Sequence, residues 1–244
     1  MVLRAALRQP EADAPPVVGS GGAVRRILWV RAGRALAHER GQLVGIADPP
    51  LSERGRAEVE ALRHHWEWAD FVCASPSRRA RESAAILAPT ARVELEPAFG
   101  PTSYGSWQGL DLETIRARDP IAYADYEAGT APAPPDGESA EALRARVARG
   151  LARLLALAHL SPLVVSHAEV IREVAWRLAG ARLPRGRPRP AEMLLLTRAP
   201  SGAFRLGRAS SDPDPLRSPL EREGLSSDED EIAERHIGHL ELRL

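Results

Sequence analysis

The sequence predicts an α/β fold, a three-layer α/β/α sandwich with a mainly parallel central sheet. Short apolar runs suited to buried strands occur at residues 27–31, 71–74 and 163–166. Segments with helical spacing of apolar residues separate these runs, and strands that alternate with helices form parallel sheets covered on both faces. Ligands of such sheets bind beyond the carboxyl ends of the strands, so the residues that follow each run are the candidate site.

The remaining elements follow from capping residues and periodicity. Ser52 is a good N-cap for a helix with apolar residues at helical spacing. An irregular segment rich in Gly, Pro and aromatic residues, 96–137, is typical of a cap or binding loop and has at most short helices at 111–118 and 121–127. The other predicted elements are helices at 78–87, 139–159 and 170–178, and strands at 92–95, 193–197 and 204–209, the last two as a hairpin.

The length of 244 residues suits one α/β domain with additional ends. We predict this domain at residues 25–209. Residues 1–24 are rich in Ala, Pro and Gly without periodicity and predict a flexible leader. Residues 210–244 contain acidic and Pro-rich stretches and predict a mostly disordered tail.

Composition excludes several classes of function. The 33 basic residues, all arginine, balance 33 acidic residues, so the charge gives no reason to expect nucleic acid or an anionic membrane as partner. The absence of lysine excludes a lysine Schiff base, and a single cysteine, Cys73, excludes an internal disulfide and a cysteine-rich zinc site. No apolar run approaches the roughly 20 residues of a membrane span. We therefore expect a cytoplasmic protein without metal or cofactor; the sequence carries no signal for its oligomeric state.

Charged residues stand at the ends of the predicted strands. Arg31 ends the first strand, Arg79 lies at the start of the helix after the second, and His167 ends the strand at 163–166. Guanidinium groups match phosphate oxygens, and helix N-termini add partial positive charge. Any one of these residues alone would be read as a surface charge or a structural histidine. Their equivalent positions together predict a phosphate-binding site.

Five sequence blocks in the same order resemble the histidine phosphatase superfamily, of the phosphoglycerate mutase-like type. The first, RAGRALAHERGQLVGIADPPLSERG at 31–55, is similar to a block that begins Arg-His-Gly in that family. The others are ASPSRRARESA at 74–84, GSWQG at 105–109, PPDGES at 134–139 and VVSHAEVIR at 164–172.

The resemblance implies a mechanism. In the family the first histidine attacks phosphorus and becomes a phosphohistidine, two arginines and a second histidine stabilise the developing charge, and a carboxylic acid protonates the leaving oxygen. The arginines and the second histidine correspond here to Arg31, Arg79 and His167. The positions that the resemblance places around the phosphate are Arg31, Gly33, His38, Arg79, His167 and Ala168.

Departures from the family pattern fall on the reacting groups. Ala32 stands at the position of the nucleophilic histidine, and Pro101 at the position of the acid. His38 replaces an asparagine of the first loop, and Ala168 replaces the glycine after the second histidine. The phosphate-binding groups are therefore retained, whereas the nucleophile and the acid are lost.

Three interpretations are consistent with this pattern. The paired losses favour a pseudophosphatase that binds a phosphorylated small molecule without turning it over. The second is an active phosphomonoesterase seen as a His-to-Ala variant at position 32, with the acid supplied by Glu94, Glu96, Glu169 or a cap residue. The third is different chemistry with His167 or His38 as base or nucleophile, although a loop histidine such as His38 is expected to face solvent.

Overall fold

A computed structural model of the protein describes residues 24–128, 131, 133–181, 183 and 188–208. Its centre is a six-stranded sheet with the order β3-β2-β4-β1-β5-β6, in which β1 to β4 are parallel and β5 runs antiparallel to β1 and β6. This confirms the predicted α/β class with a mainly parallel sheet. The strands are β1 Arg26–Arg31, β2 Phe71–Ala74, β3 Val93–Leu95, β4 Pro162–Ser166, β5 Met193–Arg198 and β6 Phe204–Arg208.

Helices cover both faces of the sheet. Successive side chains of a strand point to opposite faces, so the apolar residues of one strand pack against helices on both sides. In β1, Ile27 and Trp29 belong to the apolar cluster that includes residues of the helices at 140–156 and 168–179. Leu28 and Val30 belong to the cluster that includes residues of the helices at 53–60 and 78–87. The helices are α1 Leu36–Glu39, α2 Glu53–Glu60, α3 Arg78–Leu87, α4 Leu112–Arg118, α5 Pro120–Ala128, α6 Ala140–Ala156 and α7 Ala168–Ala179.

Element boundaries differ from prediction in places that have local causes. Helix α6 ends at Ala156 and not at residue 159, because Leu157 has extended backbone angles. The Asp70 carboxylate accepts hydrogen bonds from the amides of Leu160 and Ser161, which fixes the approach to β4. Helix α7 begins at Ala168, two residues earlier than predicted. The predicted first loop contains the short helix α1.

The cap segment at 96–137 carries its own apolar cluster, which includes Tyr104, Trp107, Ile115 and Tyr123. Arg146 of α6 ties its beginning to the main body. The guanidinium donates to the carbonyls of Ala98 and Gly100 at 2.7 and 2.9 Å and pairs with Glu138 at 2.6 Å. One side chain therefore fixes the backbone that precedes and includes Pro101, whose carbonyl it also contacts at 3.3 Å.

We expect Arg146→Ala to lower the free energy of unfolding by about 2–4 kcal/mol, because it leaves a largely buried carboxylate and several carbonyls without their donor. Chemical denaturation measures this change. Arg153→Ala is the matched control, since Arg153 also pairs with a glutamate at 2.6 Å but is 57% exposed. Its expected cost is below about 1 kcal/mol. Equal losses in the two variants would contradict the role given to Arg146.

Two predictions lie outside the described residues. The leader at 1–24 is described only at Val24, and the tail at 210–244 is not described. The boundaries of the predicted domain at 25–209 remain a prediction. Within the described ranges, no helix is both long and apolar enough to cross a bilayer.

Candidate functional site

Three parallel strands end side by side at the candidate site. In the pairing of β1 with β4, Arg31 lies opposite Ser166, and in that of β2 with β4, Ala74 lies opposite Val165. The amide of Ala32 donates to the carbonyl of Ser166 at 2.8 Å. The residues directly after these strands, Ala32, Ser75 and His167, are therefore neighbours, and the proximity of Ala32 and His167 follows from the predicted strand pattern.

His167 is buried at the N-cap of α7 and is held on both sides of its ring. Its Nε2 lies 2.8 Å from the hydroxyl of Ser75 and 3.2 Å from that of Ser77, and its Nδ1 lies 3.2 Å from Nη2 of Arg79. A guanidinium only donates, so Nδ1 accepts and the ring proton belongs on Nε2. Burial, and then the charge of Arg79, lower the pKa of His167 well below its ordinary value. The ring is neutral at physiological pH.

Arg79 is a buried cation with an incomplete set of hydrogen bonds. Its Nη2 donates to the carbonyl of Gly45 at 3.0 Å and faces His167, whereas its Nη1 has no hydrogen-bond partner among the described residues. Burial lowers the pKa of Arg79 to about 10, and the charge of Arg31 contributes. The guanidinium stays charged at neutral pH. A buried donor without an acceptor is costly, which makes Nη1 a candidate for contact with an anion.

Arg31 contributes charge from the adjacent strand. Its Nη1 donates to the carbonyl of Pro188 at 2.6 Å, which holds the half-buried side chain at the strand end. Its charge helps to lower the pKa of Arg79, His38 and His167, in each case after the larger effect of burial. The charges of at least two arginines therefore act in this region, and those of Asp48 and Glu169 oppose them at Arg79.

His38 does not face solvent as the sequence suggested. It is half-buried, and its Nδ1 accepts a hydrogen bond from the amide of Ala35 at 3.0 Å, so the proton of the neutral ring lies on Nε2. Burial, then the charges of Arg31 and Arg79, lower its pKa to about 3. His38 is therefore neutral, and neither ring nitrogen has an unused lone pair for attack. Its chemistry in this arrangement is that of a hydrogen-bond donor.

The small residues of the predicted site have packing roles that the structure shows. The amide of Gly33 donates to the Ser83 hydroxyl at 3.0 Å. A Cβ at Gly33 would lie 2.7 Å from both the Gly55 carbonyl and the Val59 side chain, so this loop can approach α2 only with glycine here. Ala168 is buried as the first residue of α7.

Only one of the three carboxylates considered as an acid lies at this site. Glu94 pairs with Arg92, and Glu96 pairs with Arg153. Glu169 instead accepts a hydrogen bond from the Tyr104 hydroxyl at 2.9 Å. Its charge also acts to raise the pKa of Arg79, His38 and His167, so of the three carboxylates it is the one that interacts electrostatically with these residues.

Sequence reasoning assigned no role to Ser75, Ser77, Tyr104 or Gly45, all of which contact the site residues. Two signals were available: Ser75 directly follows a strand, and Gly45, Ser75 and Ser77 lie within the blocks that resemble the family. Pro101 lies in the segment that Arg146 fixes. No group of three or more His, Cys, Asp or Glu side chains suited to a metal ion occurs in the part of the chain that the structure describes.

The low pKa of His38 predicts acid sensitivity. The unfolded chain takes up a proton near pH 6.5, whereas folded His38 does so only near pH 3, so this residue lowers stability as pH falls through that interval. We expect His38→Asn to reduce the fall in Tm between pH 7 and pH 5. His64→Asn, at a side chain that is 84% exposed, should leave the fall unchanged. Parallel curves for the wild type and His38→Asn would contradict the burial of a neutral ring.

The fold and the group formed by Arg31, Arg79 and His167 define a class of α/β proteins. Its members have a site with arginine and histidine at the carboxyl edge of a parallel sheet. Comparison with known families makes this specific. The family model described as histidine phosphatase superfamily (branch 1) matches residues 27–199, and the chain belongs to that superfamily. The predicted resemblance is thereby confirmed.

The relatives and neighbours include several phosphatases. A bifunctional protein of Mycobacterium tuberculosis is 29% identical over 164 residues, which span 65% of this chain and only 45% of that protein. The adenosylcobalamin/α-ribazole phosphatase of Escherichia coli is 29% identical over 163 residues, 63% of this chain and 79% of the enzyme.

Two solved structures share the fold. The α-ribazole phosphatase from Shigella flexneri has a TM-score of 0.68 at 23% identity, with 75% of this chain and 95% of that chain covered. A mycobacterial glucosyl-3-phosphoglycerate phosphatase in complex with inorganic phosphate has a TM-score of 0.63 at 23% identity, with 77% and 96% covered. At this identity the likeness establishes the fold alone.

Proposed function

We propose that the protein binds a phosphorylated small molecule between Arg31, Arg79, His38 and His167 and does not hydrolyse it, which makes it a pseudophosphatase. The observation that carries this proposal is the buried Nη1 of Arg79, which has no acceptor among the described residues. A phosphoryl oxygen would supply that acceptor, and guanidinium–phosphate pairing is among the strong charge-assisted hydrogen bonds.

The electrostatics of the site support an anionic ligand. The charges of Arg31 and Arg79 both help to lower the pKa of His38 and His167. An anion bound between the arginines would relieve their mutual repulsion. The neutral imidazoles can contribute only hydrogen bonds, so the arginines supply the charge that attracts the phosphate.

The missing groups explain why the bound ester would persist. Ala32 is buried and offers only a methyl group, which cannot accept a phosphoryl group. Pro101, at the position of the family's acid, has no proton to donate. His38 cannot replace the nucleophile, because the Ala35 amide occupies one ring nitrogen and the other carries the proton.

A second candidate is an active phosphomonoesterase, of which this chain would be a His-to-Ala form at position 32. The charge of Glu169, which acts on the pKa of both Arg79 and His167, favours it, because this carboxyl could then protonate the leaving oxygen. The Escherichia coli relative named as an adenosylcobalamin/α-ribazole phosphatase supports phosphomonoesters as the ligand class for either candidate.

The test uses the unaltered protein. Titration calorimetry should detect binding of inorganic phosphate or vanadate. Assays with an aryl phosphate and a sugar phosphate should show no hydrolysis above buffer. Clear turnover that His167→Ala abolishes would show that the protein is an enzyme as it stands.

A further inference from the structure

Thr102 is a buried residue without an evident structural function. Its side chain is 6% exposed, and its hydroxyl has no hydrogen-bond partner among the described residues. Buried hydroxyl groups are normally paired, so an unpaired one calls for a reason. Arg79 Nη1 is another buried side-chain atom in this condition.

Gly45 connects Thr102 with Arg79. The Gly45 carbonyl accepts from Arg79 Nη2 at 3.0 Å. A Cβ at Gly45 would lie 3.0 Å from the carbonyl of Thr102 and 2.5 Å from the Gln108 side chain, and the residue has a φ of +47°. Glycine therefore allows this loop to contact Arg79 and Thr102 at once.

The segment that contains Thr102 passes the N-terminus of α7. At one end the Phe99 carbonyl accepts from the Ser166 hydroxyl at 2.8 Å. At the other end the Tyr104 hydroxyl donates to Glu169 at 2.9 Å. Ser166 and Glu169 lie on either side of His167 in the sequence, so the segment that contains Thr102 is hydrogen-bonded to the chain on both sides of this histidine.

We propose that the Thr102 hydroxyl is a further ligand-binding group of this pocket and donates a hydrogen bond to the phosphoryl group that Arg79 Nη1 also binds. This inference rests on the proposed function of the pocket. Both unpaired groups are donors, and a phosphoryl group has several oxygens that accept. One ligand would therefore satisfy both.

The position of Thr102 fits a binding role and not an acid role. It directly follows Pro101, the residue at the family's acid position. An aliphatic hydroxyl donates a hydrogen bond but does not give up its proton near neutral pH. The chain would thus hold the ligand by a neutral donor next to the position where the family supplies a proton.

The test compares Thr102→Val, which removes the hydroxyl at similar volume, with Thr102→Ser, which keeps it. Calorimetric titration with inorganic phosphate should show about tenfold weaker binding for the valine variant, as expected for one hydrogen bond to a charged group. The serine variant should stay within about threefold of the wild type on the same scale. The Tm of the unliganded valine variant should not fall, because the lost hydroxyl has no partner there.

Wild-type phosphate affinity in Thr102→Val would overturn the inference while leaving the proposed function intact. Equal weakening in the valine and serine variants would also overturn it, since packing and not the hydroxyl would then be responsible. If the wild type itself fails to bind phosphate, the proposed function falls first and the inference with it. Thr102→Ala provides the same comparison if valine prevents folding.

Discussion

The double variant Ala32→His/Pro101→Glu is expected to hydrolyse alkyl phosphates such as sugar phosphates, whereas Ala32→His alone is expected to hydrolyse only an aryl phosphate. The histidine would restore a nucleophile next to Arg31 and His167. A phenolate departs without protonation, but an alkoxide needs a proton from a general acid. If the general acid is missing at Pro101, the single variant would therefore hydrolyse only the substrate whose leaving group needs no proton.

The expected difference between the two variants is large. General acid catalysis contributes about 10²–10⁴-fold, so the double variant should exceed the single one by that factor on a sugar phosphate and by much less on an aryl phosphate. Steady-state kinetics with both substrates measure this difference. A phosphohistidine would be detected as an acid-labile phosphoryl group on the protein. His167→Ala in the double variant is the control and should abolish turnover.

Strong hydrolysis of the sugar phosphate by Ala32→His alone would instead favour the second candidate function. Glu169 would then be the candidate acid, because its charge acts on the pKa of both Arg79 and His167. Adding Glu169→Gln to the single variant decides this point. A loss confined to the sugar phosphate would identify Glu169 as the proton donor.

The sequence predicted the parts of this structure that depend on strand periodicity and order. Residues that follow buried strands meet at the carboxyl edge of a parallel sheet, so the proximity of Arg31 and His167 could be predicted from the sequence. The pairing of Arg31 with Ser166 across β1 and β4 is the direct consequence. The five blocks predicted the family by resemblance; four of them fall at a strand end or helix start, whereas GSWQG at 105–109 lies in the cap segment.

Burial and hydrogen-bond state could not be read from the sequence. His38 was expected to face solvent because it lies in a polar loop, but α1 and the Ala35 amide draw it inward. Its proton position depends on a contact with a backbone amide, which no pattern of side chains encodes. Thr102 escaped notice because an unpaired hydroxyl is recognised only when every neighbour is placed. The chemistry of the site thus depends on contacts that the sequence leaves open.

Arg79→Ala is expected to reduce the affinity for inorganic phosphate at least about 100-fold, since truncating one partner of a buried charge pair costs several kcal/mol. The adjacent exposed Arg81 gives the matched control, and Arg81→Ala should leave the affinity unchanged although it removes the same net charge. Calorimetry at two ionic strengths distinguishes direct contact with the phosphate from general electrostatic attraction. Salt screens the general attraction, whereas it weakens a buried contact much less.

Arg79→Lys refines the result. Lysine keeps the charge but lacks the planar fork, so it cannot hold the Gly45 carbonyl and a phosphoryl oxygen as arginine does. We expect intermediate affinity. Arg79→Ala should also raise the pKa of His167, because the Arg79 charge helps to lower it, and an NMR titration would detect the change. Unaltered phosphate binding in Arg79→Ala, together with a raised His167 pKa, would show that the guanidinium serves only to hold His167 and would remove the basis for a phosphate site.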